Sequence, residues 1–198
     1  MKRGSWQFLA IGIMGLALLT ALPGCAGKMR LGKRSAEAEK ELVIPDLPTA
    51  KEQFAFAKMY QSQQLTPPEL DRRRILMEKI AQYYNRVLIN FPKDPVYVPL
   101  TYLELGDCAA QSDYMDKAIE MYRLAQQVSQ DEFVQVRADY SIARIYDSME
   151  KYAEAKVIYK RLMDEHKQTQ NGRVRDVLKR AYQRYMLVHE EGAPPGKI

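Results

Sequence analysis

The sequence is poor in cysteine, with two among 198 residues, at positions 25 and 108. Small secreted domains that depend on disulfides carry several cysteine pairs, so a disulfide framework is excluded. We expect the folded part to be stabilised by side-chain packing instead. Cys108 lies beside Ala109 and Ala110 in a predicted helix, which favours a small buried apolar residue over a nucleophile.

Histidine is equally scarce, since His166 and His189 are the only two and neither lies in a spacing typical of metal ligands. The sequence also lacks a glycine-rich phosphate loop, a G-x-S-x-G elbow and a Cys–His–Asn pattern. We therefore predict no metal, no cofactor and no catalytic residue, that is, a protein that is not an enzyme. Sustained alternation of β-branched residues with hairpin turns is absent too, which predicts an all-α fold.

Residues 1–24 have the plan of an export signal. Two cations precede an apolar run, FLAIGIMGLALLT (8–20), which is shorter than the roughly 20 residues that a membrane span needs. The run leads into LPGC (22–25), which resembles the lipobox of bacterial lipoproteins. The resemblance implies cleavage before Cys25 and a covalent lipid on its thiol. The alternative is a plain signal peptide of a soluble exported protein.

The segment after the anchor, residues 25–49, is predicted to be a tether because it is rich in charge, glycine and proline and has little apolar surface to bury. Its first part holds four cations and no acid: Lys28, Arg30, Lys33 and Arg34. These favour either an anionic lipid surface or a simply solvated segment. Nucleic acid is not expected as a partner, since the chain is exported and its 30 cations are diluted by 25 acids.

Residues 50–190 read as helices, with apolar residues recurring every three or four positions. Small and aromatic residues repeat 37 positions apart, as in the pairs Gly106 and Ala143, Ala118 and Ala155, and Tyr122 and Tyr159. This pattern resembles the tetratricopeptide repeat. The resemblance implies a short α-solenoid of about three helical hairpins, with copies at about 50–92, 99–132 and 136–169; the alternative is an unrelated helical bundle.

The last helical stretch, 173–190, is predicted to cap the solenoid. Its cations crowd away from one apolar stripe, and a capping helix needs a polar outer face. The stripe consists of Val174, Val177, Leu178, Ala181, Tyr182, Tyr185 and Val188. Binding through these cations is the alternative role. The tail, 191–198, is predicted to be disordered.

The repeat family implies a partner-binding groove lined by fixed positions of each first helix. Counting from the three copy starts gives Lys51, Phe54, Lys58, Leu103, Asp107, Gln111, Arg137, Tyr140, Arg144 and Asp147. Arg137, Tyr140 and Arg144 lie at helical spacing on one face, and two guanidiniums there suit an acidic or carboxylate-ending peptide. The alternative is that they are solvated residues of an ordinary helix.

Lipidated repeat proteins of this kind resemble the repeat lipoprotein of the outer-membrane β-barrel assembly machine and periplasmic cell-division coordinators. The resemblance implies a scaffold in the bacterial envelope that binds envelope proteins or peptides and is anchored to the membrane through its lipid. Ala26 after the cysteine is typical of sorting to the outer membrane, facing the periplasm. A lipoprotein that binds glycan or assists polysaccharide export is the alternative function, favoured if aromatic rings line the groove.

Overall fold

The computed structural model describes residues 43–191, with side chains through Leu187. Those residues form helices and no strand, which confirms the predicted all-α class. The predicted signal, Cys25, the tether up to residue 42 and the tail from residue 192 lie outside the described residues. The helices are α1 (Ala50–Ser62), α2 (Leu70–Asn90), α3 (Tyr97–Gln111), α4 (Met115–Val128), α5 (Glu132–Ser148), α6 (Tyr152–Glu165) and α7 (Gly172–Glu191).

Successive helices pack as antiparallel pairs, α1 with α2, α3 with α4 and α5 with α6. The first helices of neighbouring pairs also touch: α1 contacts α3, and α3 contacts α5. By contrast, no Cα atom of α2 comes within 8 Å of α4, and the same holds for α4 and α6. The described pairs therefore splay apart on the side of their second helices.

The α3/α4 pair is held together at a small residue. A Cβ atom added to Gly106 would lie 2.5 Å from Cε1 of Tyr122, so the ring of Tyr122 occupies the space that a side chain would need. Ala118 is fully buried in the same pair. Small residues thus let these helices approach closely, as expected. The ring of Tyr122 covers Gly106 within its own hairpin, besides packing with Val134 and Ala138 of the next hairpin.

The turns inside the last two pairs share one backbone geometry. Asp113 and Glu150, which are 37 positions apart, have φ angles of 66° and 61°. In each turn the following residue donates its N–H five residues back, from Tyr114 to the carbonyl of Ala109 and from Lys151 to that of Tyr146. This is a helix-ending motif that usually takes glycine. The missing glycines hid the turns from sequence reasoning.

Helices α3 and α5 begin earlier than positions 99 and 136, where the repeat copies were expected to start. The Asp94 carboxylate accepts hydrogen bonds from the N–H groups of Val96 and Tyr97, and that of Asp131 accepts from Phe133. Such side chains satisfy N–H groups that a helix start leaves without partners. The caps therefore extend each first helix toward the preceding loop.

Helix α7 packs on α5 and α6. Val174, Val177 and Ala181 are fully or almost fully buried there in a cluster with Tyr159. Tyr182, which was expected in the buried stripe, is instead 55% exposed, because its position on the helix lies about 100° from those residues. The outer face of α7 is therefore not uniformly polar.

Among the described residues, none of the helices is both long enough and apolar enough to cross a membrane.

Candidate partner-binding face

Helices α1, α3, α5 and α7 contact one another in that order. We call the surface that they share the first-helix face, and it carries the residues that were expected to line the groove. Two open depressions lie on it, one beside α1 and one between α3 and α5.

The depression beside α1 contains the three positions predicted on that helix. Lys51 and Lys58 are exposed, and the Phe54 ring is half-buried between Tyr84 and Tyr97, with ring centroids 5.6 and 5.5 Å away. The depression has a volume of ≈ 630 Å³. Its aromatic floor is thus fixed by ring contacts within the protein.

The cleft between α3 and α5 contains two positions predicted on α3 and one on α5. Asp107, Gln111 and Arg144 line it together with serine hydroxyls and apolar side chains, in a volume of ≈ 510 Å³. Leu103, also predicted to line the groove, is fully buried in the core. It offers a partner no surface, because its side chain points among residues of α4 and α5.

Arg137 does not face the cleft as a free cation. Its Nη1 lies 3.1 Å from Oε1 of Glu104, and its Nη2 lies 2.6 Å from Oδ2 of Asp107. Lys58 completes the group, with Nζ 3.1 Å from the second oxygen of Glu104. We call Lys58, Glu104, Asp107 and Arg137 the charge network. It joins α1, α3 and α5.

Burial explains why the charged groups of the charge network pair with one another. The Glu104 side chain is only 4% exposed, and a buried carboxylate without cations beside it would be strongly destabilising. The Tyr122 hydroxyl donates to Asp107 at 2.6 Å, and burial raises the pKa of Tyr122, so that its proton is held for this bond. The network is therefore internal bracing, and its guanidinium is already bound on two sides.

Arg144 is the contrasting cation. It is exposed and has no ion pair or hydrogen bond to any other described residue. Ser141 and Ser148 lie beside it in the cleft, and Ala110, Met115 and Ile145 supply apolar walls. The arrangement offers a guanidinium fork, hydroxyl groups and an apolar surface to one incoming segment.

The remaining predicted positions on α5 pack toward α6 and α7. Tyr140 is half-buried against Tyr159, at a centroid distance of 6.1 Å, with the Arg180 guanidinium 5.8 Å from its ring centre. Asp147 is 5% exposed and accepts hydrogen bonds from Nε and Nη2 of Arg184, the former at 2.8 Å. Asp147 is thus a tie to α7.

Sequence reasoning missed Glu104 and Arg184. Glu104 interrupts an apolar stretch, LTYLELG (100–106), three positions before Asp107 and so on the same side of the helix; an acid in such a stretch indicates a buried ion pair. Arg184 lies three and seven positions after the buried Ala181 and Val177. That spacing places it on the inward side of α7.

The described residues contain no group of three or more His, Cys, Asp or Glu side chains able to hold a metal ion. Cys108 is buried, at 3% exposure, and burial raises the pKa of its thiol to about 12. The thiol is therefore protonated near neutral pH, which suits a packing role rather than nucleophilic attack.

Comparison with known proteins identifies two segments of the chain that are similar to a known repeat family. Residues 100–132 and 136–164 each match the family model described as tetratricopeptide repeat. A structure with a similar backbone is the Sgt2 TPR domain from Aspergillus fumigatus; the match has 17% sequence identity and a TM-score of 0.47, and covers 78% of this chain and 90% of that chain. No curated protein matches the chain significantly.

The matched segments comprise all of α4 and most of α3, α5 and α6. The described part of the chain is a short α-solenoid of helical hairpins, and the two hairpins that the family model matches are similar to tetratricopeptide repeats. Repeats of this kind form non-catalytic scaffolds that bind partner proteins or peptides.

Proposed function

We propose that the protein is a scaffold of a bacterial cell envelope, tethered by a lipid on Cys25, that binds an acidic segment of a partner protein in the α3–α5 cleft. In this proposal it serves as an accessory subunit of an outer-membrane assembly or other envelope machine, and the cleft faces the periplasm. The carrying observation for the binding site is Arg144, an exposed guanidinium without a described partner in a cleft of ≈ 510 Å³.

The tether half of the proposal rests on the sequence. An apolar run too short to span a bilayer ends at LPGC (22–25), and a basic stretch follows. None of the described helices is both long and apolar enough to span a membrane. In this proposal a covalent lipid on Cys25 attaches the chain to the membrane.

The binding half rests on the difference between the two arginines. Arg137 is bound to Glu104 and Asp107, so it positions α3 against α5 and is not offered to a partner. Arg144 has its donors available, and Arg binds carboxylates through two parallel hydrogen bonds. An acidic side chain entering the cleft would pair with Arg144, while neighbouring apolar side chains of the same segment contact Met115 and Ile145.

Glycan binding is the weaker alternative for this cleft. An exposed aromatic lining would favour a sugar, whereas the aromatic ring that lines this cleft is that of Tyr122, which is 2% exposed. A lining of mixed charge, hydroxyls and small apolar groups suits a peptide better.

The lipid is tested by mass spectrometry of the chain purified from bacterial membranes. We expect Cys25 to be the first residue and to carry acyl groups, and Cys25→Ser to accumulate as an uncut precursor. An unmodified amino terminus at any other residue contradicts the tether.

The cleft is tested separately by photo-crosslinking in the envelope. A photoreactive amino acid at Gln111 should give an adduct with a partner protein, whereas one at Val157, which is 67% exposed on α6, should not give the same adduct. Arg144→Glu should abolish the adduct, and Arg72→Glu, a charge reversal of an exposed arginine on α2, should preserve it. An adduct that survives Arg144→Glu would place the binding site elsewhere.

A further inference from the structure

The outer face of α7 combines exposed cations with exposed apolar side chains. Arg175, Lys179, Tyr182 and Met186 follow one another at spacings of four, three and four, so they form one stripe on the helix. Tyr182 is 55% and Met186 45% exposed. The cations lie in the first half of the stripe and the apolar residues in the second.

The stripe differs from the other cations of α7. The Arg173 guanidinium lies 3.6 Å from the centre of the Phe133 ring, and Arg180 lies over Tyr140; both therefore turn back onto α5. Arg175 and Lys179 have no ion pair to another described residue and are exposed. Arg184 is paired with Asp147, so three of the five cations are committed to contacts within the protein, and Arg175 and Lys179 are left for an external group.

We propose that this stripe docks on an anionic lipid surface, that of the membrane in which the Cys25 lipid is inserted. Residues 172–187 contain five cations and a single acid, Asp176, and Glu190 and Glu191 follow only in the last turn of the helix. The part of α7 that carries the stripe therefore has a net positive charge that complements an anionic surface. Helices that lie in a membrane interface combine Lys and Arg with apolar residues such as Trp, Phe and Leu, and Tyr is enriched at membrane–water interfaces. Leu187, at 47% exposure, adds apolar surface next to Met186.

Chain length permits the contact. First helices pack about 8–10 Å from one another, so three such steps separate α7 from α1 by about 30 Å. The 17 residues from 26 to 42 can span up to about 60 Å. This inference rests on the proposed tether at Cys25. The experiment distinguishes a failure of the tether from a failure of membrane docking by α7.

The test uses the full chain purified from membranes and reconstituted into vesicles. Met186→Cys is labelled with an environment-sensitive fluorophore, and Ile75→Cys, on α2 and 55% exposed in the native protein, is the control site. Cys108 stays unlabelled because its thiol is buried and has a pKa of about 12. One label per chain is expected when lipid blocks Cys25, and mass spectrometry checks that Cys25 is still present; two labels refute the tether and leave the α7 measurement intact.

We expect the label at position 186 to shift to shorter emission wavelength in vesicles that contain about 30% phosphatidylglycerol, because a basic segment is attracted to an anionic lipid surface. The shift should be much smaller in phosphatidylcholine alone, and the label at position 75 should not respond. Arg175→Glu with Lys179→Glu should remove the shift, as should high salt, while Arg72→Glu should keep it.

Three results overturn the proposal. Equal shifts in neutral and anionic vesicles would show that the charge of the lipid surface does not contribute to binding. A shift without vesicles that grows with protein concentration would assign the stripe to a second copy. A shift that needs an added envelope protein would assign it to a protein partner.

Discussion

The hairpins α3/α4 and α5/α6 have the same packing and different polar chemistry. Gly106, Ala118 and Tyr122 in the first correspond to Ala143, Ala155 and Tyr159 in the second, each 37 positions later, and all are buried. One position beyond the small residue, the first hairpin carries Asp107 and the second Arg144. Asp107 is bound by Tyr122 and Arg137, whereas Arg144 is free of described partners.

This difference shows that the repeat dictates packing and leaves the surface position to be used in either of two ways. In the first hairpin the position braces neighbouring helices through the charge network. In the second it is offered to the cleft. A position that the repeat family implies for binding can therefore be structural in one copy and available in the next.

The largest expected effect comes from breaking the charge network. Arg137→Ala leaves the buried carboxylate of Glu104 with only Lys58, which is itself 47% exposed. We expect a loss of about 3 kcal/mol in the free energy of unfolding, at the lower end of what a broken buried ion pair costs. Arg144→Ala should change it by less than about 0.5 kcal/mol. Urea denaturation of both variants measures the contrast.

A second variant separates charge from lost packing. Glu104→Gln in the Arg137→Ala background removes the uncompensated charge, so the double variant should be more stable than Arg137→Ala alone. Equal losses in Arg137→Ala and Arg144→Ala would contradict the assignment of Arg137 to bracing.

The next effect concerns the close approach at Gly106. Gly106→Ala would place its Cβ 2.5 Å from the Tyr122 ring, and that ring is held by its hydrogen bond to Asp107. Overpacking of this kind costs about 1–3 kcal/mol, partly offset by the roughly 1 kcal/mol by which alanine favours a helix. We therefore expect a net loss of about 1 kcal/mol, measured by thermal unfolding.

Gly172→Ala is the matched control, because a Cβ there would meet only an Arg175 nitrogen at 4.0 Å. It should leave the unfolding midpoint unchanged or raise it. Equal unfolding midpoints for Gly106→Ala and Gly172→Ala would show that the close approach at Gly106 does not contribute to stability.

The fold was largely predictable because packing leaves a periodic record in the sequence. The repeated small and aromatic residues indicated the hairpins, and the structure has them buried as packing requires. The polar contacts were not predictable, since the Glu104–Arg137 and Asp147–Arg184 pairs join helices 33 and 37 positions apart. Counting repeat positions selected Arg137 and Arg144 alike, and only their neighbours distinguish the two.

A smaller effect, this time an increase in the free energy of unfolding, is expected from substitutions at the turns. Glu150 and Asp113 both have positive φ, which costs most residues about 1–2 kcal/mol and aspartate less. Glycine removes this strain but loses more entropy on folding. Glu150→Gly should therefore stabilise the protein by about 0.5–1 kcal/mol in urea denaturation, and Asp113→Gly by less. Destabilisation by Glu150→Gly would show that the side chain contributes more than the turn strain costs.

The smallest effect is the contribution to pH dependence made by one contact of the last hairpin, between Glu132 and His166. Nδ1 of His166 lies 2.9 Å from Oε1 of Glu132, and the Thr169 hydroxyl donates to the second oxygen, whereas Pro95 and Ser129 stand at the corresponding positions of the preceding hairpin. The hydrogen bond from His166 lowers the pKa of Glu132 below its ordinary value. Its stabilisation is therefore present above the ordinary carboxyl pKa of about 4.3 and is lost as pH falls through the lowered one. Glu132→Gln should reduce stability near pH 6 and flatten its decline toward pH 3, measured by urea midpoints, while Glu154→Gln on α6 serves as the control. A decline of unchanged slope in Glu132→Gln would contradict this role for the His166 contact.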